Sequence, residues 1–188
     1  MSKLQAALPG YSHVSRYYSD IDNAVIVRLQ LGELYVTRND ELIRTTLGSC
    51  VAACIRDPHA GIGGVNHFLL PRDTSVEPNR EASRAKAVLY RYGEHSMTAL
   101  IDALVHFGAA RHRLEIKVFG GSVLNFKKTQ NSAGEQNIKF LLNYLEKNNF
   151  DIAARDLGGD YSRLIEYAPL TGTVRMRRYR QENSGDLL

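Results

Sequence analysis

The stretch TTLGSCVAACIRDPHAGIGGVNHFLLP, residues 45–71, predicts a β-hairpin. Its middle, Asp57–Gly61, reads DPHAG, and aspartate, proline and glycine in this order are typical of a turn. The segments on either side, CVAACIR and GIGGVNHF, both predict strands. The predicted hairpin therefore carries one cysteine and one histidine near its open end.

The register of this hairpin determines whether the cysteine and the histidine can meet. If the chain folds back at the middle of the turn, with Arg56 opposite Gly61, then Cys50 lies opposite His67. Directly opposed residues share one face of the sheet, with Cβ atoms about 4.5–5.5 Å apart. That separation suits a hydrogen bond between a thiol and an imidazole, so this register pairs Cys50 with His67.

Cys50 and His67 are candidates for a nucleophile and its general base. A free thiol with a pKa of about 8.5 is mostly protonated at neutral pH, so it needs a base such as His67. Gly48–Ser49 lets the backbone turn sharply before Cys50 and leaves amide N–H groups free to bind an oxyanion. A third group should orient the imidazole, and the hydroxyls of Thr45 and Thr46 are the nearest in sequence.

Two other interpretations of these residues stay open. An unpaired cysteine is commonly a buried core residue, and Cys54 in particular is predicted to be core packing. The second interpretation is a zinc site with four candidate ligands, namely Cys50, Cys54, His59 and His67. Against zinc, both cysteines lie in one extended segment, and His59 lies at the tip of the turn, away from Cys50.

The composition is that of one globular domain. Of the 188 residues, 44% are hydrophobic and 23% are charged, so a sizeable core is expected. No apolar run reaches the roughly 20 residues that cross a bilayer, and the N-terminus MSKLQAALPGYSHVSRYYSD lacks the apolar segment of a signal peptide. Because the two cysteines make no disulfide framework, the sequence predicts a cytoplasmic protein that does not insert into a membrane.

The net charge is +4, and four arginines cluster near the C-terminus: Arg175, Arg177, Arg178 and Arg180. A basic surface favours acidic partners, which include nucleic acid, anionic lipid and acidic proteins. The alternative for this cluster is a solvated strand end with exposed charge. Because no RNP motif, zinc finger or helix-turn-helix is recognisable, nucleic-acid binding would depend on charge alone, and no nucleic-acid partner is predicted.

The chain divides into an arm, a domain and a tail. Residues 1–23 are polar without clear periodicity and predict an N-terminal arm, residues 24–180 predict a single domain, and residues 181–188 a tail. Residues 24–37, AVIVRLQLGELYVT, predict β-structure with a turn or bulge at LGE. Residues 72–92 are rich in charge and turn formers, which predicts a long surface loop with some helix.

Two helices and several further strands follow. The segment GEHSMTALIDALVHFG predicts a helix with an apolar stripe of Met97, Leu100, Ile101, Leu104 and Val105. The segment AGEQNIKFLLNYLEKNNF predicts another, with an apolar face of Ile138, Leu141, Leu142 and Leu145. RLEIKVFGGS predicts a strand that enters a glycine turn, and three strands follow the second helix, the last two joined at APLTG. Strands outnumber helices without regular alternation, which predicts an α+β fold.

Several ordered motifs run through the chain after about residue 30. GELYVT, TTLGSCVAACIRDP and GGVNHFLLP come first, and RYGEHSMTALIDAL, KVFGGS, GEQNIKF, DLGGDYSRLIEY and TGTV follow. With these motifs and their spacing, the sequence resembles the chemoreceptor glutamine deamidase family CheD. That family is similar to bacterial Cys-His toxin deamidases, and the resemblance implies two stacked mixed β-sheets flanked by helices, in α/β/β/α layers.

The resemblance also implies a site and a reaction. It implies Cys50 as the nucleophile, His67 as the general base and Thr45, or else its neighbour Thr46, as the group that orients His67. The implied reaction converts glutamine side chains of chemoreceptors to glutamate through a cysteine thioester, with no cofactor and no metal. Some members of the family also hydrolyse receptor methyl esters, and some bind a CheC-type phosphatase, which is therefore a candidate partner. The alternative is a non-catalytic module that binds or regulates receptors with the same fold.

Overall fold

The computed structural model describes residues 4–72, 86–123 and 132–180. Within these residues the strands are β1 (Ser15–Ser19), β2 (Ala24–Arg28), β3 (Leu34–Thr37), β4 (Glu41–Leu47), β5 (Val51–Asp57), β6 (Ile62–Asn66), β7 (Glu115–Gly120), β8 (Ile152–Leu157), β9 (Tyr161–Ala168) and β10 (Thr173–Arg180). The helices are α1 (Lys86–Leu89), α2 (Gly93–His106) and α3 (Ala133–Lys147). The predicted tail, residues 181–188, and residues 73–85 of the predicted loop lie outside the described residues.

The strands form two mixed five-stranded sheets, which confirms the α+β class. The first sheet has the order β1-β2-β4-β9-β10, with β2 and β4 parallel and the other neighbours antiparallel. The second sheet has the order β3-β6-β5-β7-β8, with β7 and β8 parallel and the other neighbours antiparallel. The predicted β-segment 24–37 therefore contributes one strand to each sheet, and its turn lies between them.

The burial of the strands shows how the layers are ordered. Nearly all residues of β5 and β6 are buried, so the second sheet is covered on both faces. In β4 and β9 buried and less buried residues alternate, so the first sheet has one covered face. Both long helices pack on the second sheet, because α2 contacts β3, β5 and β6, and α3 contacts β5. Along the chain, α2 precedes β7 of that sheet and α3 follows it. The layers of the described residues are therefore α/β/β, which corrects the expected α/β/β/α order.

The predicted stripe of α2 is buried except at one position. Met97, Leu100, Ile101 and Leu104 are at most 1% exposed, whereas Val105 is 43% exposed. At about 100° per residue, Val105 lies about 40° beyond Ile101 around the helix axis, which places it past the edge of the buried stripe. The prediction of Val105 as a stripe residue is wrong, and the rest of the stripe is confirmed.

The helix α3 begins at a capping box. Ser132 Oγ accepts a hydrogen bond from the Glu135 amide, and Glu135 Oε2 accepts one from the Ser132 amide. Leu141 and Leu145 are buried as predicted, and the other two predicted apolar residues are half-buried. No helix in the described parts of the chain is long and apolar enough to cross a bilayer.

Part of the segment that the sequence assigned to an N-terminal arm belongs to the first sheet. The strand β1 pairs antiparallel with β2 at the sheet edge. Tyr11 and Val14 are buried in the core, where the ring of Tyr11 meets that of Tyr35 edge-on at 5.6 Å between centroids. Arg16 forms an ion pair with the buried carboxylate of Glu41. The polar composition of this segment hid its strand, because an edge strand exposes much of its length.

The predicted hairpin is present as β5 and β6, but its register differs from the predicted one. Asp57 lies opposite Ile62, and Arg56 lies opposite Gly63. The predicted pairing of Arg56 with Gly61 is therefore wrong by two residues. Since side chains alternate with a period of two, this shift keeps every side chain on its predicted face.

The length of the turn explains the shift in register. The predicted turn folds back between Pro58 and His59, whereas the observed turn holds four residues between Asp57 and Ile62. Asp57 Oδ1 accepts hydrogen bonds from the amides of His59 and Ala60, at 3.0 and 3.2 Å. The same buried carboxylate forms an ion pair of 2.7 Å with Arg113, which anchors the turn to a distant segment.

The arginine cluster near the C-terminus lies on the exposed strand β10. Three of its members form ion pairs with carboxylates: Arg175 with Glu166, Arg178 with Asp156, and Arg180 with Asp160. The three arginine side chains are more than half exposed. This arrangement is that of a solvated strand end whose charge is largely compensated.

Candidate active site

The two neighbouring threonines of β4 point to opposite faces of the first sheet. Side chains alternate along a strand, so only one of the two can face the second sheet. Thr45 is buried, with 4% of its surface exposed, whereas Thr46 is exposed on the outer face. Only Thr45 is therefore placed to contact a residue between the sheets.

His67 follows β6 directly, and its backbone is held from the side of β3. Its amide donates to the carbonyl of Glu33 at 3.0 Å, and its carbonyl accepts from the amide of Gly32 at 2.8 Å. On the side of β5, Asn66 Oδ1 accepts a hydrogen bond of 2.9 Å from the amide of Ala53. The side chain of Asn66 thus replaces a backbone carbonyl as the acceptor for β5. The regular backbone pairing of β5 and β6 is interrupted at this point, just before His67.

Thr45 and His67 are in direct contact across the two sheets. Thr45 Oγ1 lies 2.8 Å from His67 Nδ1, and it donates a hydrogen bond of 2.9 Å to the carbonyl of Leu29. A hydroxyl has one hydrogen, so toward the imidazole Thr45 Oγ1 is the acceptor and Nδ1 carries the proton. The hydrogen-bond network therefore assigns the tautomer in which Nε2 has a free lone pair.

Cys50 lies just before β5 and is half-buried. Because Val51 lies opposite Phe68, Cys50 is a diagonal neighbour of His67 and not its directly opposed partner, as the predicted register had it. Diagonal neighbours are roughly 7–8 Å apart at the backbone, a distance across which an aromatic side chain such as the imidazole of His67 can reach. His67 Nε2 is buried and has no hydrogen-bond partner within the described residues.

Burial favours the neutral form of both groups. It lowers the pKa of His67 from 6.5 to about 4, and it raises the pKa of the Cys50 thiol above its usual value. At neutral pH the resting site therefore holds a thiol and a neutral imidazole instead of a thiolate and an imidazolium.

The glycine turn after β7 lies against the backbone of Cys50. Gly120 has a φ of +116°, and a Cβ at this position would collide with the carbonyl of Cys50, so only glycine allows the close approach. The amides of Gly121 and Ser122 donate to the carbonyls of Cys50 and Gly48, each at 2.8 Å. These bonds fix residues 48–50, here called the nucleophile loop.

Asn137 on α3 also contacts this region, and the sequence analysis missed it. Its side chain is fully buried, and Nδ2 donates to the carbonyls of Ser49 and Leu69, at 2.9 and 2.8 Å. The residue lies four positions before Leu141 and therefore on the buried face of the helix. A polar residue on an otherwise apolar face was the signal that could have revealed it, because buried polar groups need partners.

A cleft of about 470 Å³ opens beside the contact between Thr45 and His67. Its lining combines apolar side chains with polar ones, namely Gln30, Thr45, Thr46 and His67, and with two arginines, Arg28 and Arg44. Arg44 pairs with two carboxylates, whereas Arg28 forms no ion pair with another described residue. The cleft thus adjoins the candidate base and carries, among the described residues, one positive charge without an ion-pair partner.

Comparison with known proteins gives the family. The family model described as CheD chemotactic sensory transduction matches residues 69–178. A probable chemoreceptor glutamine deamidase CheD from Saccharophagus degradans is 42% identical over 177 residues, which cover 94% of this chain and 81% of that protein. The chain belongs to the CheD family.

Two further CheD relatives agree with this result. The probable chemoreceptor glutamine deamidase CheD of Hahella chejuensis is 41% identical, over 92% of this chain and 79% of that protein. The protein of the same name from Halorhodospira halophila is 39% identical, over 91% of this chain and 78% of that protein. The resemblance to CheD seen in the sequence motifs is therefore confirmed, and it extends over nearly the whole chain.

In this CheD chain the alternative zinc ligands lie apart. Cys54 is fully buried within β5, which confirms it as a core residue, and His59 lies in the turn at the far end of the hairpin from Cys50. Among the described residues, no three His, Cys, Asp or Glu side chains are grouped so that they could hold a metal ion. The geometry therefore supports chemistry between Cys50 and His67 better than a zinc site.

Acid should destabilise this CheD fold through His67. The pKa of His67 is 6.5 in the unfolded chain and about 4 in the folded one, so between these pH values the unfolded state binds more protons. The free energy of unfolding should fall by about 3 kcal/mol as the pH drops from 6.5 to 4. Urea unfolding of the wild type and of His67→Asn, which keeps a donor for Thr45 but does not titrate, measures this contribution. Equal losses in both proteins would contradict the buried neutral imidazole.

Proposed function

We propose that this CheD chain deamidates glutamine side chains of chemoreceptors, with Cys50 as nucleophile, His67 as general base and Thr45 as the group that orients His67. The observation that carries the proposal is the 2.8 Å contact between Thr45 Oγ1 and His67 Nδ1, which leaves Nε2 as the basic nitrogen. The half-buried thiol of Cys50 lies on the neighbouring segment. The relatives at about 40% identity that bear the name glutamine deamidase support the same reaction.

The first half of the reaction forms a thioester. His67 Nε2 accepts the thiol proton while Cys50 Sγ bonds to the carbon of the glutamine carboxamide. The electron pair of the C=O bond moves to oxygen, and amide N–H groups of the nucleophile loop bind the resulting oxyanion. The imidazolium then gives its proton to the amide nitrogen, the C–N bond breaks, and ammonia leaves.

The second half of the reaction restores the thiol. His67 Nε2 takes a proton from a water molecule, whose oxygen bonds to the thioester carbon. The C–S bond breaks, the sulfur regains its proton, and the side chain leaves as glutamate. Because each half uses Nε2 first as a base and then as an acid, the fixed tautomer serves both halves.

The charge of the chain suits an acidic substrate. The net charge is +4, and Arg28, which has no ion-pair partner among the described residues, contributes a cation to the cleft beside His67. Complementary charge speeds the encounter of two proteins and fixes their orientation. An acidic receptor segment would therefore approach this cleft favourably.

Mass spectrometry of a receptor tests the proposed reaction. The purified chain is incubated with the purified cytoplasmic domain of a chemoreceptor from the same organism, and the receptor peptides are then mapped. Specific glutamines should show the mass gain of conversion to glutamate with the wild type and not with Cys50→Ala. Absence of conversion by the wild type would favour the non-catalytic receptor-binding module. A methyl-esterified receptor treated in parallel reports any ester hydrolysis.

The proposed setting is the cytoplasm, where cysteines stay reduced and Cys50 keeps its free thiol. A CheC-type phosphatase is the proposed protein partner besides the receptor. Co-purification of the two proteins from the same organism tests that partnership.

A further inference from the structure

The three consecutive backbone carbonyls of the nucleophile loop each accept a hydrogen bond from another part of the fold. The glycine turn after β7 donates to the first and the third carbonyl, and a side chain of α3 donates to the second. The bonds run from Ser122 N to Gly48 O, from Asn137 Nδ2 to Ser49 O and from Gly121 N to Cys50 O, with lengths of 2.8, 2.9 and 2.8 Å. The direction of every peptide group in the loop is therefore fixed by the rest of the fold.

The second of these bonds comes from a side chain, that of Asn137. Its Nδ2 also donates to the carbonyl of Leu69, two residues after His67, at 2.8 Å. If the side-chain amide of Asn137 were flipped, Oδ1 would face the two carbonyl oxygens, and an oxygen cannot donate to them. The two acceptors therefore define which way this amide is oriented. Oδ1 has no partner among the described residues, so the two bonds of Nδ2 are the side-chain hydrogen bonds of Asn137 seen there. It ties the nucleophile loop to the segment that carries the base.

The hydrogen bond from Asn137 to the carbonyl of Ser49 also sets the direction of the Cys50 N–H, because both groups belong to one peptide unit. The peptide is trans and planar, so its N–H points opposite to its C=O. Because the carbonyl of Ser49 points at Asn137, the amide of Cys50 points away from α3. Among the described residues that amide donates to no other residue, so it stays available on the side away from α3. An amide on this side can bind an oxyanion.

We propose that Asn137 is a positioning residue for the oxyanion site: it holds the Ser49–Cys50 peptide so that the Cys50 N–H faces the oxygen of the reacting carboxamide. This inference rests on the proposed deamidation. Asn137 is fully buried and its Nδ2 donates to two backbone carbonyls, so we expect it to act through the loop and not on the substrate or the thiol. Its loss should therefore slow the step that forms an oxyanion and spare reactions of Cys50 that form none.

Replacement of Asn137 by alanine separates these two kinds of reaction. In Asn137→Ala, kcat for receptor deamidation should fall by about a hundredfold, because an oxyanion donor contributes at least that much. KM should stay the same. Alkylation of Cys50 by iodoacetamide is a displacement at saturated carbon without an oxyanion, so its rate and its pH profile should be unchanged.

Ser132→Ala is the matched control, because it removes the cap of the same helix without touching the nucleophile loop. It should lower the unfolding temperature and leave kcat near that of the wild type.

Unchanged kcat in Asn137→Ala, or a parallel fall in kcat and in the rate of Cys50 alkylation, would overturn the inference. If Asn137→Ala does not unfold cooperatively, Asn137→Ser is judged by the same two rates. A wild type that deamidates nothing would overturn the proposed function and this inference with it, whereas an Asn137→Ala with unchanged kcat beside an active wild type overturns the inference alone.

Discussion

Replacement of Cys50 by serine should abolish deamidation while the protein still unfolds cooperatively. A hydroxyl is far harder to deprotonate than a thiol, and His67, with a pKa of about 4, is a weak base for it. The measurement is the conversion of receptor glutamines by mass spectrometry, together with thermal unfolding. Residual activity above about a tenth of the wild-type rate would contradict Cys50 as the nucleophile, since an activated nucleophile contributes orders of magnitude.

The other cysteine provides the control for this substitution. Cys54 is fully buried in β5 and lies opposite Val65, away from the imidazole. Cys54→Ser should keep most of the activity and lose about 1 kcal/mol of stability, because it buries a hydroxyl in an apolar core. If Cys54→Ser were the inactive variant, the roles of the two cysteines would have to be exchanged.

Replacement of Thr45 by valine should lower kcat by about a hundredfold or more, because a triad that loses the partner fixing its imidazole loses orders of magnitude in rate. Valine keeps the shape of threonine but cannot accept the hydrogen of His67 Nδ1. The tautomer with a free Nε2 then loses its stabilising contact. Steady-state kinetics of deamidation for Thr45→Val and the wild type measure the effect.

Thr46→Val is the matched control for Thr45→Val, because the same change is made one residue further along the strand. Thr46 lies on the exposed outer face of the first sheet and should tolerate valine with nearly unchanged kcat. Small and equal effects of the two substitutions would show that another group orients the imidazole.

The hairpin illustrates how far the sequence predicts the fold. Turn residues and apolar flanks are local signals, and they placed β5 and β6 correctly. The number of residues in the turn depends on Asp57, whose carboxylate caps two amides and pairs with Arg113. Arg113 lies 56 residues away in sequence, so no local pattern could reveal its influence on the register.

The layer order and the site show the same limit. The helices on either side of β7 were predicted from their periodicity, which does not tell which sheet they cover, and the α/β/β/α order was implied by the family resemblance alone. Cys50 and His67 could be predicted as candidates because a thiol and an imidazole carry recognisable chemistry. Asn137 was overlooked, because an amide acquires its role only from the carbonyls of Ser49 and Leu69, which the fold brings to it.

The neutral state of Cys50 and His67 affects how fast peroxides oxidise the Cys50 sulfur. Peroxides oxidise thiolates to sulfenic acid much more readily than they oxidise thiols. Burial raises the pKa of Cys50 and keeps the sulfur protonated while no substrate is bound. A cell exposed to peroxide should therefore retain this activity under conditions that inactivate enzymes with a preformed thiolate.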